Sequence, residues 1–269
     1  MRITDIYFAG YAPFMGSVPL HLQVDDERVL FLGISGSGKT TVFRAVGWLW
    51  RQLMGYLEGQ LSQPIGEGGL ALAAQGLPLG EGVVAWGSET FAAQAAAGHP
   101  GARLLHIGSQ GFGGDWPRGD AAAYPNLILA DGEAEAGLDW AALLAACPGA
   151  MAAANRLLVG KQVEKGPEQL HVRLAGGGAH SLQQLSMGEK RICQLCALAE
   201  GALKPGGLLM LDEPDVHLHP SQILGFMATL ENLIQAKSGQ LWLISHQEVL
   251  WRRYEELGTV VALSGEGRG

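Results

Sequence analysis

The segment GISGSGKT, Gly33 to Thr40, meets every specified position of the pattern GxxxxGK[ST]. In that pattern a turn of glycines wraps backbone N–H groups around the phosphates of a nucleotide. Gly33, Gly36 and Gly38 permit a curl that a Cβ would obstruct. Ser35, Ser37 and Thr41 fall in the same cradle, Lys39 adds a positive charge on the phosphates, and Thr40 supplies a hydroxyl to Mg²⁺. Two carboxylates, Asp212 and Glu213, follow the apolar run Leu208 to Leu211, and His246 follows a second run, Leu241 to Ser245. Asp212 suits a Mg²⁺ partner, direct or through water, and Glu213 suits a base that orients or deprotonates an attacking water. A histidine beside them can hydrogen-bond a terminal phosphate.

These residues need a sheet to bring them together. Arg28 to Leu32 reads as a buried strand entering the glycine turn, and Thr41 to Met54 as the helix leaving it, with Val42, Phe43, Val46, Leu49, Trp50 and Leu53 at helical spacing. The N-terminus of that helix points its partial positive charge at the phosphates. Leu208 to Leu211 is too short and apolar for a helix and fits an inner strand of a parallel sheet. Ser221 to Ala236 reads as an amphipathic helix, and a right-handed crossover through it lays His246 beside Glu213 at one sheet edge.

With LSMGEK at Leu185 to Lys190 added, the chain resembles an ABC-type ATPase, the nucleotide-binding fold of ABC transporters, SMC proteins and several DNA-repair and phage-defence ATPases. LSMGEK is similar to the LSGGQ signature, with Met187 and Glu189 as the departures, and LSxGE is common in the SMC and repair branches. DEPDVHLHP, Asp212 to Pro220, resembles the DEPExHLHP form of stand-alone ATPases of the OLD-nuclease and SMC-like group rather than the transporter form. The resemblance implies an α/β P-loop NTPase with a mixed or parallel core sheet, an antiparallel side sheet and a helical signature lobe. It implies ATP and Mg²⁺ as ligands, and an ATP-dependent head-to-tail homodimer. In that dimer Ser186 and the Gly188 backbone, at the start of the helix Glu189 to Leu203, contact the γ-phosphate held by the other subunit, and His219 faces the partner. The likeness runs from Arg2 to Leu263, although the interior from about Glu58 to Glu164 offers no motif to align. His217 and His219 with Asp215 have an HxH spacing, which the resemblance explains without a metal.

The family also carries a glutamine that touches Mg²⁺ and links its lobes. Gln110, at the end of a strand Arg103 to Ile107, fits that role, with Gln75 as the rival. Leu70 to Leu72 and Gly82 to Trp86 read as further side-sheet strands within a stretch, 59 to 135, rich in Gly and Ala. Leu138 to Leu158 reads as one helix, Lys161 to Pro167 as a polar turn and Leu170 to Leu174 as a strand. The final strand is Val260 to Leu263. Tyr7, Tyr11 and Phe14 are the aromatics available to stack on adenine, and strand packing is the plainer fate of each.

The 269 residues suit a single ABC-type domain, with a nucleotide lobe of about 1–110 and 205–269 and a signature lobe of about 111–204. No sustained heptad pattern lies between Lys39 and Ser186, so a long coiled-coil arm is not expected. A net charge of −8 gives no general attraction to nucleic-acid phosphate, and no Lys/Arg run exceeds two residues. Three cysteines suit a reducing cytosol, and Cys193 and Cys196, a CxxC pair on a helix, fit buried packing. Neither a signal peptide nor a membrane-spanning run is expected, which places the chain in the cytoplasm. The functional expectation is an ATPase subunit that closes around ATP and switches a separate effector, a nuclease or toxin-like protein, in bacterial defence or DNA processing. The alternative is the ATP-binding subunit of an ABC transporter.

Overall fold

The computed structural model describes residues 1–9, 14, 20–58, 69–77, 82–108, 111–113, 121–130 and 139–263. In chain order the elements begin with β1 (Arg2–Ala9), β2 (Leu20–Gln23), β3 (Arg28–Leu32), α1 (Lys39–Leu57), β4 (Gly69–Gln75), β5 (Val83–Gly87), α2 (Glu89–Ala97), β6 (Arg103–Gly108), β7 (Gly111–Gly113) and β8 (Leu127–Ala130). They continue with α3 (Trp140–Ala146), α4 (Pro148–Leu157), β9 (Lys161–Lys165), β10 (Leu170–Leu174), β11 (Ala179–Ser181), α5 (Met187–Ala197), β12 (Leu208–Asp212), α6 (Pro220–Gln235), β13 (Gln240–Ile244), α7 (Glu248–Leu257) and β14 (Thr259–Ala262).

The core is a five-stranded parallel sheet in the order β14-β3-β13-β12-β8. Its strands are apolar on both faces, as a sheet covered on both sides requires. Along β12, Leu208 and Met210 face α1 and the six-stranded side sheet, while Leu209 and Leu211 face the helices of the second half of the chain. β13 repeats the alternation, with Trp242 and Ile244 on the first side and Leu241 and Leu243 on the second. α1 buries all six of the apolar positions that its sequence period picks out. Phe43 and Phe31 meet edge to face across the interface between α1 and β3, with ring centroids 5.3 Å apart.

The side sheet, β2-β1-β4-β5-β6-β7, is antiparallel except for the parallel pair β5–β6. That pair is joined by α2, which the alanine-rich sequence does not announce. Ala92 and Ala95 of α2 pack on Ala71, Ala73 and Ala85, a helix–sheet contact made of methyl groups. One buried amide ties the two sheets: Gln240 Oε1 accepts from Ile3 N at 2.8 Å, and its Nε2 donates to Ile3 O at 3.1 Å and Asp26 O at 2.8 Å. Tyr7 stacks on His21 with centroids 4.2 Å apart, and Phe14 packs on Phe8; Tyr11 lies outside the described residues.

The second half differs from expectation in three places. The single helix over Leu138 to Leu158 is two helices broken at Cys147, because Pro148 takes the first position of α4 and cannot continue α3. The polar turn at Lys161 to Pro167 begins as strand β9, an edge of the antiparallel sheet β11-β10-β9. The helix after the signature is regular only to Ala197 and ends in a π-helical turn, Leu198–Ala202. Cys193 and Cys196 are buried within α5, where burial pushes both thiols up to about 12. They are therefore inert packing thiols at neutral pH.

Candidate nucleotide site

β3 delivers the chain into the glycine turn at the C-terminal edge of the core sheet, where such folds bind ligands. Gly36 and Gly38 have φ of 79° and 96°, left-handed values that glycine adopts without strain. Gly33 is required for a different reason. A Cβ there would fall 2.4 Å from Ser37 Oγ and 2.6 Å from the Leu263 carbonyl, so the turn closes tightly on its own side chain and on the chain end of β14. Gly38 is the N-cap of α1 and offers no side chain to cap it, which leaves the first helical N–H groups free for an anion.

Lys39 is buried, and its ammonium donates to the carbonyls of Gly33 at 2.7 Å and Ile34 at 3.0 Å. Burial lowers its pKa from the ordinary lysine value, while Asp212 and Glu213 act in the opposite direction. Thr40 Oγ1 donates to Asp212 Oδ2 at 2.7 Å, joining the start of α1 to the end of β12. Ser37 Oγ is buried without a hydrogen-bond partner, whereas Ser35 is exposed and Thr41 half-buried. A ring of N–H donors, an ammonium, and a hydroxyl facing a carboxylate form a donor set that fits a nucleotide triphosphate with Mg²⁺.

β12 and β13 pair in parallel with Asp212 opposite Ile244, so the residues that follow each strand become neighbours. Glu213 N–H donates to Ile244 O at 2.9 Å, and Glu213 O accepts from Val216 N–H at 3.2 Å. These bonds hold Glu213 at φ 49°, a left-handed conformation that costs a non-glycine residue about 1–2 kcal/mol. The side chain thereby leaves the strand direction, and its Oε1 lies 3.6 Å from His246 Nε2 with both groups half-exposed. At the opposite, N-terminal edge of the core sheet, beside Arg28, Arg253 of α7 donates through Nε to Glu231 of α6 at 3.0 Å, fastening together the helices that follow β12 and β13. Glu231 sits on the buried face of α6, where the apolar period gives no sign of a carboxylate with a partner.

Ser186 is the exposed N-cap of α5. Its Oγ accepts from Glu189 N–H at 3.3 Å, while Glu189 Oε2 accepts from Ser186 N–H at 2.9 Å, a capping box. Gly188 is buried against the loop after Glu213: a Cβ on it would lie 2.4 Å from the His217 carbonyl oxygen. His217 itself has φ 68°. The signature start and the DEPDVHLHP segment are thus packed together within one chain. Gly188→Ala is expected to push that carbonyl away, lowering unfolding stability by about 1–3 kcal/mol in a urea titration and displacing Glu213 enough to reduce ATP turnover. His219 N-caps α6, with Nδ1 2.8 Å from Ser221 Oγ.

The structure therefore brings Lys39 and Thr40 to Asp212, Glu213 to His246, and Gly188 to His217. Among the described residues, no hydrogen bond or ion pair joins Ser186 to the glycine turn. Gln110 lies outside the described residues. Gln75 does not belong to the site: it lines a cleft with Met1 and Gln240, at the opposite, N-terminal edge of the core sheet, because β4 ends there. The strand that reaches the site edge beside β12 is β8, which the sequence did not reveal; its continuation, 131–138, is outside the described residues.

The family described as "AAA domain, putative AbiEii toxin, Type IV TA system" matches residues 162–251, which span the signature, Asp212, Glu213 and His246 but not the glycine turn. No curated protein matches the chain in sequence at a significant level. Among solved structures, the SMC head domain from Thermotoga maritima is 17% identical, with a TM-score of 0.55, covering 97% of this chain and 94% of that one. An SMC head bound to the C-terminal winged-helix domain of ScpA is 14% identical, with a TM-score of 0.63 and the same coverage. The Smc head with an extended coiled coil, bound to the C-terminal domain of ScpA from Pyrococcus furiosus, is 12% identical, with a TM-score of 0.57, covering 97% and 93%. The chain thus has the fold of the SMC head, and its second half, which carries the signature-like segment and the carboxylate pair, is similar to the AAA-domain family.

Proposed function

We propose that the chain binds and hydrolyses ATP at composite sites between two head-to-tail copies, and that closing and reopening of this dimer switches a separate effector in a bacterial defence or DNA-processing system. The observation that carries the dimer is the exposure of apolar side chains on all three motif segments: Ile34 in the glycine turn is 74% exposed, Met187 in the signature 61% and Val216 after Glu213 41%. Apolar residues held open beside polar motifs are what a closing interface would bury. The separation of Ser186 from its own glycine turn supports the same arrangement, with Ser186 serving a partner's nucleotide. The chain then divides into the nucleotide lobe and signature lobe expected from sequence.

In this mechanism Lys39 exchanges its two carbonyl contacts for phosphate oxygens, and the N-terminus of α1 holds the remaining charge. Thr40 and Asp212 would hold Mg²⁺, which would supply neutralisation of charge on the phosphates. Glu213 orients the attacking water and accepts its proton, and His246 steadies the Glu213 carboxylate and contacts the γ-phosphate. Ser186 Oγ accepts from Glu189 N–H, so its own hydrogen remains free to donate across the interface.

The effector rests on two comparisons. The matching family's description names a toxin and a toxin–antitoxin system, and two similar heads are bound to a domain of another protein, ScpA. No helix among the described residues is long and apolar enough to cross a membrane, and a cytoplasmic complex is the setting we propose. Affinity purification of the chain from its native host, in the apo, ADP and ATP-locked states, is expected to retain one protein in a nucleotide-dependent manner. Recovery of the bare chain in all three states would overturn the effector.

A further inference from the structure

The geometry points to Lys161 as a positioning residue of the shared nucleotide site: it neutralises the signature's Glu189, so that the N-terminus of α5 can receive a phosphate. This inference rests on the composite site proposed above and deepens it.

Glu189 stands where the related signature has an uncharged glutamine. Its carboxylate lies within hydrogen-bonding distance of the Ser186 N–H, beside the hydroxyl that is to meet a γ-phosphate. An anion in that place stabilises the isolated helix, since it sits on the positive end of the helix dipole, yet it repels a second anion arriving there. Lys161 Nζ donates to the same oxygen, Glu189 Oε2, at 2.9 Å. Burial alone would raise the Glu189 pKa, but the Lys161 and Ser186 hydrogen bonds outweigh it and hold the carboxyl below its ordinary value, so the group stays ionised and its charge must be balanced.

Lys161 is itself held in place. It is the first residue of β9 and follows Gly160, whose φ of 68° turns the chain out of α4. Two residues on, Val163 exchanges hydrogen bonds with the Asn155 side chain of α4, N–H to Oδ1 at 2.7 Å and Nδ2 to O at 2.9 Å. The strand that carries the ammonium is thus pinned to a helix that also packs on α5. The side chains of Lys161 and Glu189 are 26% and 18% exposed, which limits the screening of the pair by salt.

A pair that only stabilised the fold would respond alike to loss of either partner. Charge balance at a phosphate site predicts asymmetry. In a Glu213→Gln background, the midpoint of Mg-ATP-driven dimerisation is measured by light scattering for Lys161→Met, Lys161→Arg, Glu189→Gln and Lys161→Met/Glu189→Gln, with thermal unfolding followed for each. Lys161→Met is expected to weaken dimerisation about fivefold per site, hence roughly 25-fold for two sites, on the scale of a charge at a helix N-terminus. Lys161→Arg retains it, Glu189→Gln strengthens it, and the double variant returns it to near the parent value. Equal weakening by Lys161→Met and Glu189→Gln, or a Lys161→Met variant that dimerises like its parent, would overturn the role of Lys161 while leaving the composite site standing. A Glu213→Gln parent that binds Mg-ATP and stays monomeric would remove the composite site, and this inference with it.

Discussion

Glu213→Gln is expected to bind Mg-ATP normally, to hydrolyse it about 10²–10⁴-fold more slowly than the parent, and to accumulate as a dimer. The substitution is nearly isosteric. The left-handed backbone at position 213 is fixed by main-chain bonds to Ile244 and Val216, which a side-chain amide does not disturb. Lys39, Thr40 and Asp212, the residues proposed to contact the phosphates and the metal, are untouched, so affinity should be preserved. What is lost is the proton acceptor 3.6 Å from His246. If hydrolysis is the step that reopens the dimer, the variant stays closed for as long as ATP lasts. Single-turnover hydrolysis and the molar mass with and without Mg-ATP test both halves of this statement. Turnover at the parent rate would remove Glu213 from its role, and a mass that stays monomeric would remove the dimer.

The parts of the site that were legible in sequence are those whose chemistry restricts residue type at fixed spacing. Gly36, Gly38, Lys39 and Thr40 could be placed because a backbone cradle needs glycine and a phosphate needs a cation. The strands before Asp212 and His246 could be placed because four consecutive apolar residues ending in a polar one admit few alternatives in an α/β fold. Elements held by weaker or context-dependent signals were not legible. α2 packs through alanine methyls, so its buried face differs little in hydrophobicity from its exposed one. β9 shows one buried apolar residue, Val163, among four polar ones, and an edge strand of that kind looks like a turn until its pairing with β10 is known. Glu231 looks like an error on an apolar helix face until Arg253 is found opposite it. α2 and Glu231 depend on residues distant in sequence and β9 on a hairpin partner that its own five residues do not announce, and Lys161, which carries the proposed charge balance at the phosphate site, lies in the last of these.

A shared site makes a stronger demand than any single substitution, because it requires that two different defects complement. Ser186→Arg places a long cation at the exposed N-cap of α5, where it displaces the capping box and fills the space that a partner's γ-phosphate would enter. Lys39→Ala removes the ammonium from the glycine turn of its own chain. Each homodimer then has two defective sites: two obstructed signatures in the first, two turns without their lysine in the second. In a mixed dimer the pairing differs. One site combines the Lys39→Ala turn with the Ser186→Arg signature and is doubly defective. The other combines an intact turn from the Ser186→Arg chain with an intact signature from the Lys39→Ala chain. Mixing equal amounts is therefore expected to raise turnover well above that of either variant, towards about a quarter of the parent's. That fraction follows if half of the dimers are mixed, each with one competent site of two, and if sites work independently. Co-purification of differently tagged variants verifies that mixing has occurred. Mixed dimers with no recovered turnover would mean either that both sites must fire together or that each chain completes its own site. Repeating the measurement with parent and Lys39→Ala chains separates the two: sites that must fire together lose activity in proportion to mixed dimers, whereas self-contained sites retain the full activity of the parent chains present.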